Sequence, residues 1–378
     1  MPYFAISAVI SFVIAAIAAM TELGNSIMVA HCIFALGIVP LIFAAMLHFV
    51  PVLTRTPAPS RTISCLPYLV QIAGILVVLG LSGQFANWSI WLITIAASLD
   101  VMCAVLLWRW QVQRARETIG SPHPGWRWYA VALWAFILAV LAIVLMLLLS
   151  LNTSNANDYL PALRYFHIHL NPLGFIGLTA VGTLLVLLPT SVKQSDPRAK
   201  PWLQEKLWAM AGAVLVLALG AAITGTNSLA ENKVLAWFGL MVAVGAGLVL
   251  VCLIVEWLWH CHRLFGKALY APGAAPSLLV ASIAFVGQLM FGVLHGIQGV
   301  QGVGMHGGVI TTALIWVIAF LLPLVSGALT QLLPLWLYPG LPNPDRTRWQ
   351  TYLAWGSRQR AVVLLLLGVG LSLLHRCS

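Results

Sequence analysis

The sequence predicts an all-α membrane protein that crosses the bilayer about 11 times, and two observations carry that prediction. Of the 378 residues, 61% are hydrophobic and only 7% are charged. Soluble domains carry roughly 25% charged residues, so water is not the solvent for most of this surface. Apolar runs recur along the whole chain, and each is long enough to cross about 30 Å of hydrocarbon.

Each apolar run is predicted to form one membrane-spanning helix. The predicted spans lie near residues 4–21, 27–52, 65–83, 89–110, 127–151, 168–190, 207–225, 234–259, 277–298, 307–337 and 361–375. No polar segment between them is long enough to form a soluble domain, so residues 1–378 are predicted to be a single polytopic membrane domain. The six cysteines include no C-x-x-C pair, which argues against a zinc site or a disulfide framework.

Lysine and arginine are distributed unequally between the two sets of loops. All but three of the 19 basic residues lie in loops that follow even-numbered spans, and the exceptions are Arg164, Lys233 and Arg376. Cytoplasmic loops carry the excess of basic residues in membrane proteins. The pattern therefore predicts an inner-membrane protein with a cytoplasmic N-terminus and an external C-terminus. The net charge of +10 is then a topology signal, and no nucleic-acid partner is predicted.

Spans 2, 6 and 10 end in a shared pattern. Residues 182–189 and 327–334 both read Gly/x/Leu/x/x/Leu/Leu/Pro, and residues 44–51 are a degenerate version. A fixed period in a membrane protein is typical of duplicated structural units, and chance similarity between leucine-rich segments is the alternative. We predict three four-helix units with the last helix of the third unit missing, and a proline that ends each of these spans. The predicted units cover residues 1–118, 119–268 and 269–378.

Five histidines are predicted to share one layer of the membrane near its outer face. His31, His167, His169 and His306 lie at the outer ends of spans 2, 6 and 10, and His295 lies near the end of span 9. A neutral imidazole at that depth needs a partner, and a metal ion or haem iron is one. All five are therefore candidate ligands. A hydrogen-bonded interfacial histidine is the alternative at each position.

The spacing of His167 and His169 leaves two interpretations open. In an extended stretch, residues i and i+2 face the same side and could chelate one ion. In a helix, the two rings point in nearly opposite directions. Elsewhere, His295 and His306 flank the uncharged, glycine-rich residues 296–305, where the backbone can approach a large flat ligand closely.

Asp100 is the clearest polar group within a predicted span. Carboxylates at membrane depth are rare and tend to be functional. Asp100 is therefore either half of a proton path or a protonated group that is hydrogen-bonded to a neighbouring helix. The sequence contains no glycine-rich nucleotide motif and no H-E-x-x-H motif, which argues against the enzymology of soluble proteins.

Repeated spans with histidines at their outer ends resemble the haem–copper oxidase subunit I superfamily, and especially its smaller divergent relatives such as the NnrS-like membrane proteins. The residues that carry the resemblance are His31, Leu36, Gly37 and Pro51, then His169, Leu170, Asn171, Gly174, Gly182 and Pro189, and finally residues 327–334. The resemblance implies one haem or one copper near the outer face, with His31 and either His169 or His306 as axial ligands. It also implies a role in respiratory or nitrogen-oxide metabolism.

The sequence departs from that superfamily at two ligand positions. Span 7 contains no histidine where the oxidases have copper ligands, and span 10 offers only His306 in place of a pair. These differences argue against an oxygen-reducing binuclear centre. Two other functions remain open. A transporter or permease predicts a polar path through the bilayer, and an assembly or scaffold subunit would contact another membrane protein as well as lipid.

Overall fold

The computed structural model describes residues 2–21, 25–152, 159–225, 233–300, 312, 314–338, 340 and 343–377. The side chains of residues 152, 295, 298, 299 and 372–377 fall outside that description. The described residues form helices joined by short turns and contain no strand. The predicted all-α membrane class is therefore confirmed.

Ten helices in the described residues are long and apolar enough to cross a membrane. In chain order they are α1 (Pro2–Met20), α2 (Ser26–Thr54), α3 (Arg61–Leu81), α4 (Ala86–Glu117), α5 (Gly125–Asn152), α6 (Leu160–Ser191), α7 (Ala199–Thr224), α8 (Lys233–Phe265), α9 (Ala275–Val300) and α10 (Trp316–Leu337). Each of the ten coincides with one of the first ten predicted spans. The first residues of predicted span 10, from 307 to 311, lie outside the described part of the chain.

Two further helices follow α10. The shorter, α11 (Pro344–Ala354), is polar, and the Asn343 side chain caps it by accepting a hydrogen bond from the Arg346 backbone N–H at 2.8 Å. The longer, α12 (Ser357–Cys377), covers the eleventh predicted span. The eleventh predicted span is therefore helical, and its passage through the bilayer stays a prediction.

Three of the long helices contain a segment of wider, π-helical winding. The segments are Cys32–Ile38 in α2, Leu170–Gly177 in α6 and Trp316–Leu321 in α10. Each begins 18 or 19 residues before the proline of its span, at Pro51, Pro189 or Pro334. These are the same three spans that share the sequence pattern, although the pattern itself lies at the other end of each helix. The similar distance between each wide segment and its proline is consistent with duplication of four-helix units, which stays a prediction.

The prolines do not end their helices, contrary to the prediction. Pro51, Pro189 and Pro334 lie inside α2, α6 and α10, which continue for two or three more residues. A proline removes one N–H donor, but the last turn of a helix already contains carbonyl groups without helical partners. The helix therefore ends within one turn after the proline.

Three aromatic rings hold α2, α5 and α6 together. Phe43, Phe136 and Phe175 are each at most 2% exposed, and their ring centroids lie 4.7 to 6.1 Å apart. Aromatic pairs at this separation stabilise a core beyond the area that they bury. Phe43 follows the π-helical segment of α2, and Phe175 lies within the π-helical segment of α6. The cluster therefore packs both of these regions against α5.

The chain divides into two compact units by its internal contacts. One comprises Met1–Thr179 with Leu207–Ala246, and the other comprises Ala180–Lys206 with Gly247–Ser378. This division differs from the three predicted four-helix units, because compact packing and duplication are separate properties of a chain. The predicted boundaries therefore stay a prediction.

Candidate functional site

His31 lies in the second turn of α2, directly before the π-helical segment. The start of this helix is tied down by Asn25. The Asn25 side-chain oxygen accepts hydrogen bonds from the backbone N–H groups of Ile27 and Met28, and its amide donates to the carbonyl of Leu81 at the end of α3. The His31 Nδ1 lies 2.7 Å from the carbonyl oxygen of Ile27, one turn earlier. The ring is thus held at a fixed depth and orientation.

His167 and His169 lie at the start of α6, and their surroundings differ. The His167 Nδ1 reaches across to α5 and lies 2.9 Å from the carbonyl oxygen of Ala139. The His169 Nδ1 lies 2.8 Å from the carbonyl oxygen of Tyr165, one turn earlier on its own helix. The Tyr165 ring stacks beside the His169 ring at 6.2 Å and also packs against Gly225, which follows the last residue of α7.

These three contacts determine the tautomer that each ring has when it is neutral. A carbonyl oxygen can only accept a hydrogen bond, so each Nδ1 must carry the proton and donate it. In the neutral ring the lone pair is then on Nε2. Histidines that bind metals usually have this arrangement, with the second ring nitrogen bonded to a backbone carbonyl or a carboxylate. His31, His167 and His169 are therefore each prepared to bind a metal through Nε2.

The structure brings His31 and His167 together. Their ring centroids lie 6.4 Å apart, and the ring planes are within 11° of parallel. Two imidazoles that bind one ion from opposite sides place their centroids about 6 Å apart, because each metal–nitrogen bond is about 2 Å long. The centroid separation of His31 and His167 therefore matches the spacing of two ligands of one ion. The resemblance to the oxidases implies that His31 pairs with His169 or His306. The structure instead brings His31 close to His167.

The extended interpretation of residues 167–169 is wrong. The helix Leu160–His169 includes both histidines, so their side chains leave the helix about 200° apart, since each residue turns it by about 100°. One ion cannot be chelated by both rings in this conformation. His169 occupies the position 20 residues before Pro189 that His31 occupies before Pro51, whereas His167 is the residue that contacts His31.

Two candidate ligands cannot be placed. His306 lies outside the described residues, and for His295, in α9, only the backbone is described. In the described part of the chain no three His, Cys, Asp or Glu side chains converge as a metal site. His31 and His167 would therefore supply two protein ligands.

Asp100 lies in the middle of α4 and is 9% exposed. Its Oδ1 is buried and has no hydrogen-bond partner among the described residues. This observation concerns one of the two carboxyl oxygens only. The proton path and the protonated, hydrogen-bonded carboxyl group both stay predictions.

Replacement of Asp100 by leucine is expected to leave the protein as stable as the wild type or to stabilise it by about 1 kcal/mol, because an unpaired buried oxygen is removed. Thermal unfolding of the detergent-purified protein would measure the change. Ser98→Leu, on an exposed position of the same helix, controls for the added hydrophobic surface. A loss of stability specific to Asp100→Leu would show that the carboxyl group has a structural partner.

Two ion pairs that involve the last turns of α8 were not predicted. The His260 Nε2 lies 2.9 Å from Asp196 Oδ1, and Glu256 pairs with Lys206 at 3.6 Å. The partners are 64 and 50 residues apart, so no local pattern could have revealed either pair.

Comparison of the chain with protein-family models, with curated proteins and with solved structures returned no match.

Proposed function

We propose that this chain is an inner-membrane protein that binds one haem or one copper ion through His31 and His167. The observation that carries the proposal is the near-parallel pair of rings at 6.4 Å, each with its Nδ1 bonded to a carbonyl. Imidazole nitrogen suits both copper and iron. Such hydrogen bonds orient the ring and raise the basicity of the binding nitrogen.

We place this site at the external face of the membrane. His31 and His167 lie near the first residues of α2 and α6, whereas the loops after these helices contain Arg55 and Lys193. His31 and Arg55 are 24 residues apart, or about 36 Å along a helix. Because basic loops favour the cytoplasm, the histidines belong to the opposite side, with the N-terminus inside and the C-terminus outside.

We further propose membership of the haem–copper oxidase-like group that includes the NnrS-like proteins, with a role in respiratory or nitrogen-oxide metabolism. The shared register of the π-helical segments in α2, α6 and α10 supports a common origin for these spans. π-Helical segments also occur frequently at functional sites. A bound haem or copper would supply one-electron chemistry or binding of a small diatomic ligand. The chain's own contribution is to orient two imidazoles and to hold the proton of each neutral ring on Nδ1, which leaves the lone pair on Nε2.

Purification of the full-length protein, expressed with haem and copper supplied, tests this proposal. We expect about one copper ion or one haem per chain, measured by elemental analysis and by the optical spectrum. His31→Ala is expected to lower that content at least about tenfold, because loss of an outer-shell partner alone costs 10- to 100-fold in affinity. His262→Ala, an exposed histidine on α8, is the matched control and should bind as the wild type does.

A Soret band would assign haem, and stoichiometric copper without that band would assign copper. A wild-type protein that is colourless and free of metal would contradict the proposal. Retention of the metal by His31→Ala would contradict the site.

A transporter is the second candidate, because interrupted helices at corresponding positions of repeated units are typical of transporters. The three π-helical segments are such positions, and Asp100 is a polar group at membrane depth. Proton uptake by vesicles that contain the purified protein would favour this function, provided that Asp100→Leu abolishes the uptake and His31→Ala does not.

A further inference from the structure

A cavity of about 160 Å³ lies between the first turn of α7 and the last turns of α8. Its volume is several times the ~30 Å³ that one water molecule occupies in the liquid. Three tryptophans and charged groups of both signs surround it. They include Asp196, Arg198, Trp202, Glu256, Trp259 and Arg263. Tryptophan is enriched at the level of the lipid head groups, and a wall with three tryptophans is typical of that level.

Asp196 is one of the residues that line the cavity. Its side chain is only 1% exposed. One oxygen, Oδ1, accepts hydrogen bonds from the His260 Nε2 at 2.9 Å and from the Arg198 backbone N–H at 2.8 Å. The second oxygen, Oδ2, is buried and has no partner among the described residues. A buried acceptor without a donor is costly, so Oδ2 is suited to receive a donor from a ligand.

The other acidic group in the wall is already engaged. Glu256 pairs with Lys206 at 3.6 Å. The Arg263 guanidinium lies over the Trp259 ring at 4.9 Å, which fixes a positive charge at the cavity wall. Arg198 adds a second positive charge. The wall therefore offers one unpaired carboxylate oxygen and two guanidinium groups.

A metal ion does not fit this arrangement. Among its described residues, the wall contains one hydrogen-bonded carboxylate–imidazole pair, which is Asp196 with His260. That hydrogen bond occupies the imidazole Nε2, so this nitrogen is not free to bind a metal. No group of three potential ligands occurs among the described residues, here or elsewhere. The ligand must instead bring a hydrogen-bond donor for the carboxylate and an anion for the guanidinium groups.

We propose that this cavity binds the phosphoethanolamine head group of a membrane lipid. The primary ammonium donates a hydrogen bond to Asp196 Oδ2, and the phosphate contacts Arg198 and Arg263. An ammonium group carries three N–H donors, whereas the choline head group has the same charge and no donor. The site therefore distinguishes phosphatidylethanolamine from phosphatidylcholine. This proposal does not depend on the metal site, which involves other helices.

Native mass spectrometry of the full-length protein tests the proposal directly. The protein would be released from micelles that contain equal amounts of dioleoyl phosphatidylethanolamine and dioleoyl phosphatidylcholine. We expect one retained lipid, with phosphatidylethanolamine preferred about tenfold, as the loss of one hydrogen bond to a charged group predicts. Asp196→Asn is expected to reduce that preference to about one, because the charge on the acceptor is removed. Asp345→Asn, the same change at an exposed position of α11, should keep it.

A second variant keeps the proposal testable if Asp196→Asn fails to fold. Arg263→Gln leaves the carboxylate–histidine pair in place and removes one phosphate contact. It should lower the occupancy of both lipids several-fold and preserve the ratio between them. Equal retention of the two lipids by the wild type would overturn the proposal, as would an unchanged ratio in a folded Asp196→Asn protein.

Free phosphoethanolamine offers the same chemistry without acyl chains, so it is added in excess as a competitor. Displacement of the bound lipid supports the site and shows that the head group alone is sufficient. Retention of the lipid, together with the loss of preference in Asp196→Asn, supports the site and assigns the bilayer lipid as its ligand.

Discussion

Gly74→Ala is expected to destabilise the protein by about 3 kcal/mol or more, near the upper end of what overpacking costs. A Cβ atom at this position would lie 2.5 Å from the carbonyl oxygen of Ala35 and 2.9 Å from the Cα of Leu36. Both atoms belong to backbone in the π-helical segment of α2, so no side-chain rotation can relieve the overlap. The helices α2 and α3 approach this closely because position 74 has no side chain.

Thermal unfolding of the detergent-purified variant, followed by circular dichroism, would measure this effect. Gly212→Ala is the matched control, since Gly212 is also within a membrane-spanning helix and a Cβ there meets no atom within 4 Å. The control should unfold at the wild-type temperature or slightly above, because alanine favours helix over glycine. Equal unfolding temperatures for the two variants would show that α2 and α3 are not packed as described.

His167→Ala is expected to lower the content of bound haem or copper per chain at least about tenfold, whereas His169→Ala should leave that content unchanged. The two residues are neighbours on one helix and both donate Nδ1–H to a carbonyl, so they are closely matched. They differ in that only His167 contacts His31, at 6.4 Å. Metal content and the optical spectrum of each purified variant would give the comparison. This prediction depends on the proposed function.

The double variant His31→Ala/His167→Ala provides the internal check. Two ligands of one ion are strongly coupled in their effect on binding. The metal content that remains in the double variant should therefore be no lower than the content that remains in either single variant. Loss of metal from His169→Ala with retention by His167→Ala would contradict this site. That result would instead support the pairing of His31 with His169 that the resemblance implies.

The apolar runs and the histidine positions could be interpreted from the sequence because each depends on local composition. A run of about 20 apolar residues can satisfy its backbone in lipid only as a helix, so the first ten predicted spans coincide with helices that are long and apolar enough to cross a membrane. The positions of His31 and His167 relative to the basic loops follow from residue counts along α2 and α6. Both therefore lie near the same ends of their helices, as the predicted alternation of the spans requires.

The contacts that make the site could not be predicted in this way. The carbonyl of Ala139 reaches His167 from α5, 28 residues away in sequence. The choice of His167 over His169 depended on whether residues 160–169 are helical or extended, which a short stretch beside a proline leaves open. The buried Asp196 was missed for the same reason, since its partner His260 is 64 residues away.

The sequence by itself determined the class of this protein and the positions of the ten long apolar helices in the described part of the chain. These properties follow from the free energy of transfer into lipid, which adds up residue by residue along the chain. Only the tertiary structure decided that α2 and α6 widen into π-helical segments, that His31 meets His167 and that Asp196 keeps an unpaired oxygen in a cavity. Those features depend on which backbone and side-chain atoms of distant helices come within a few ångströms of one another.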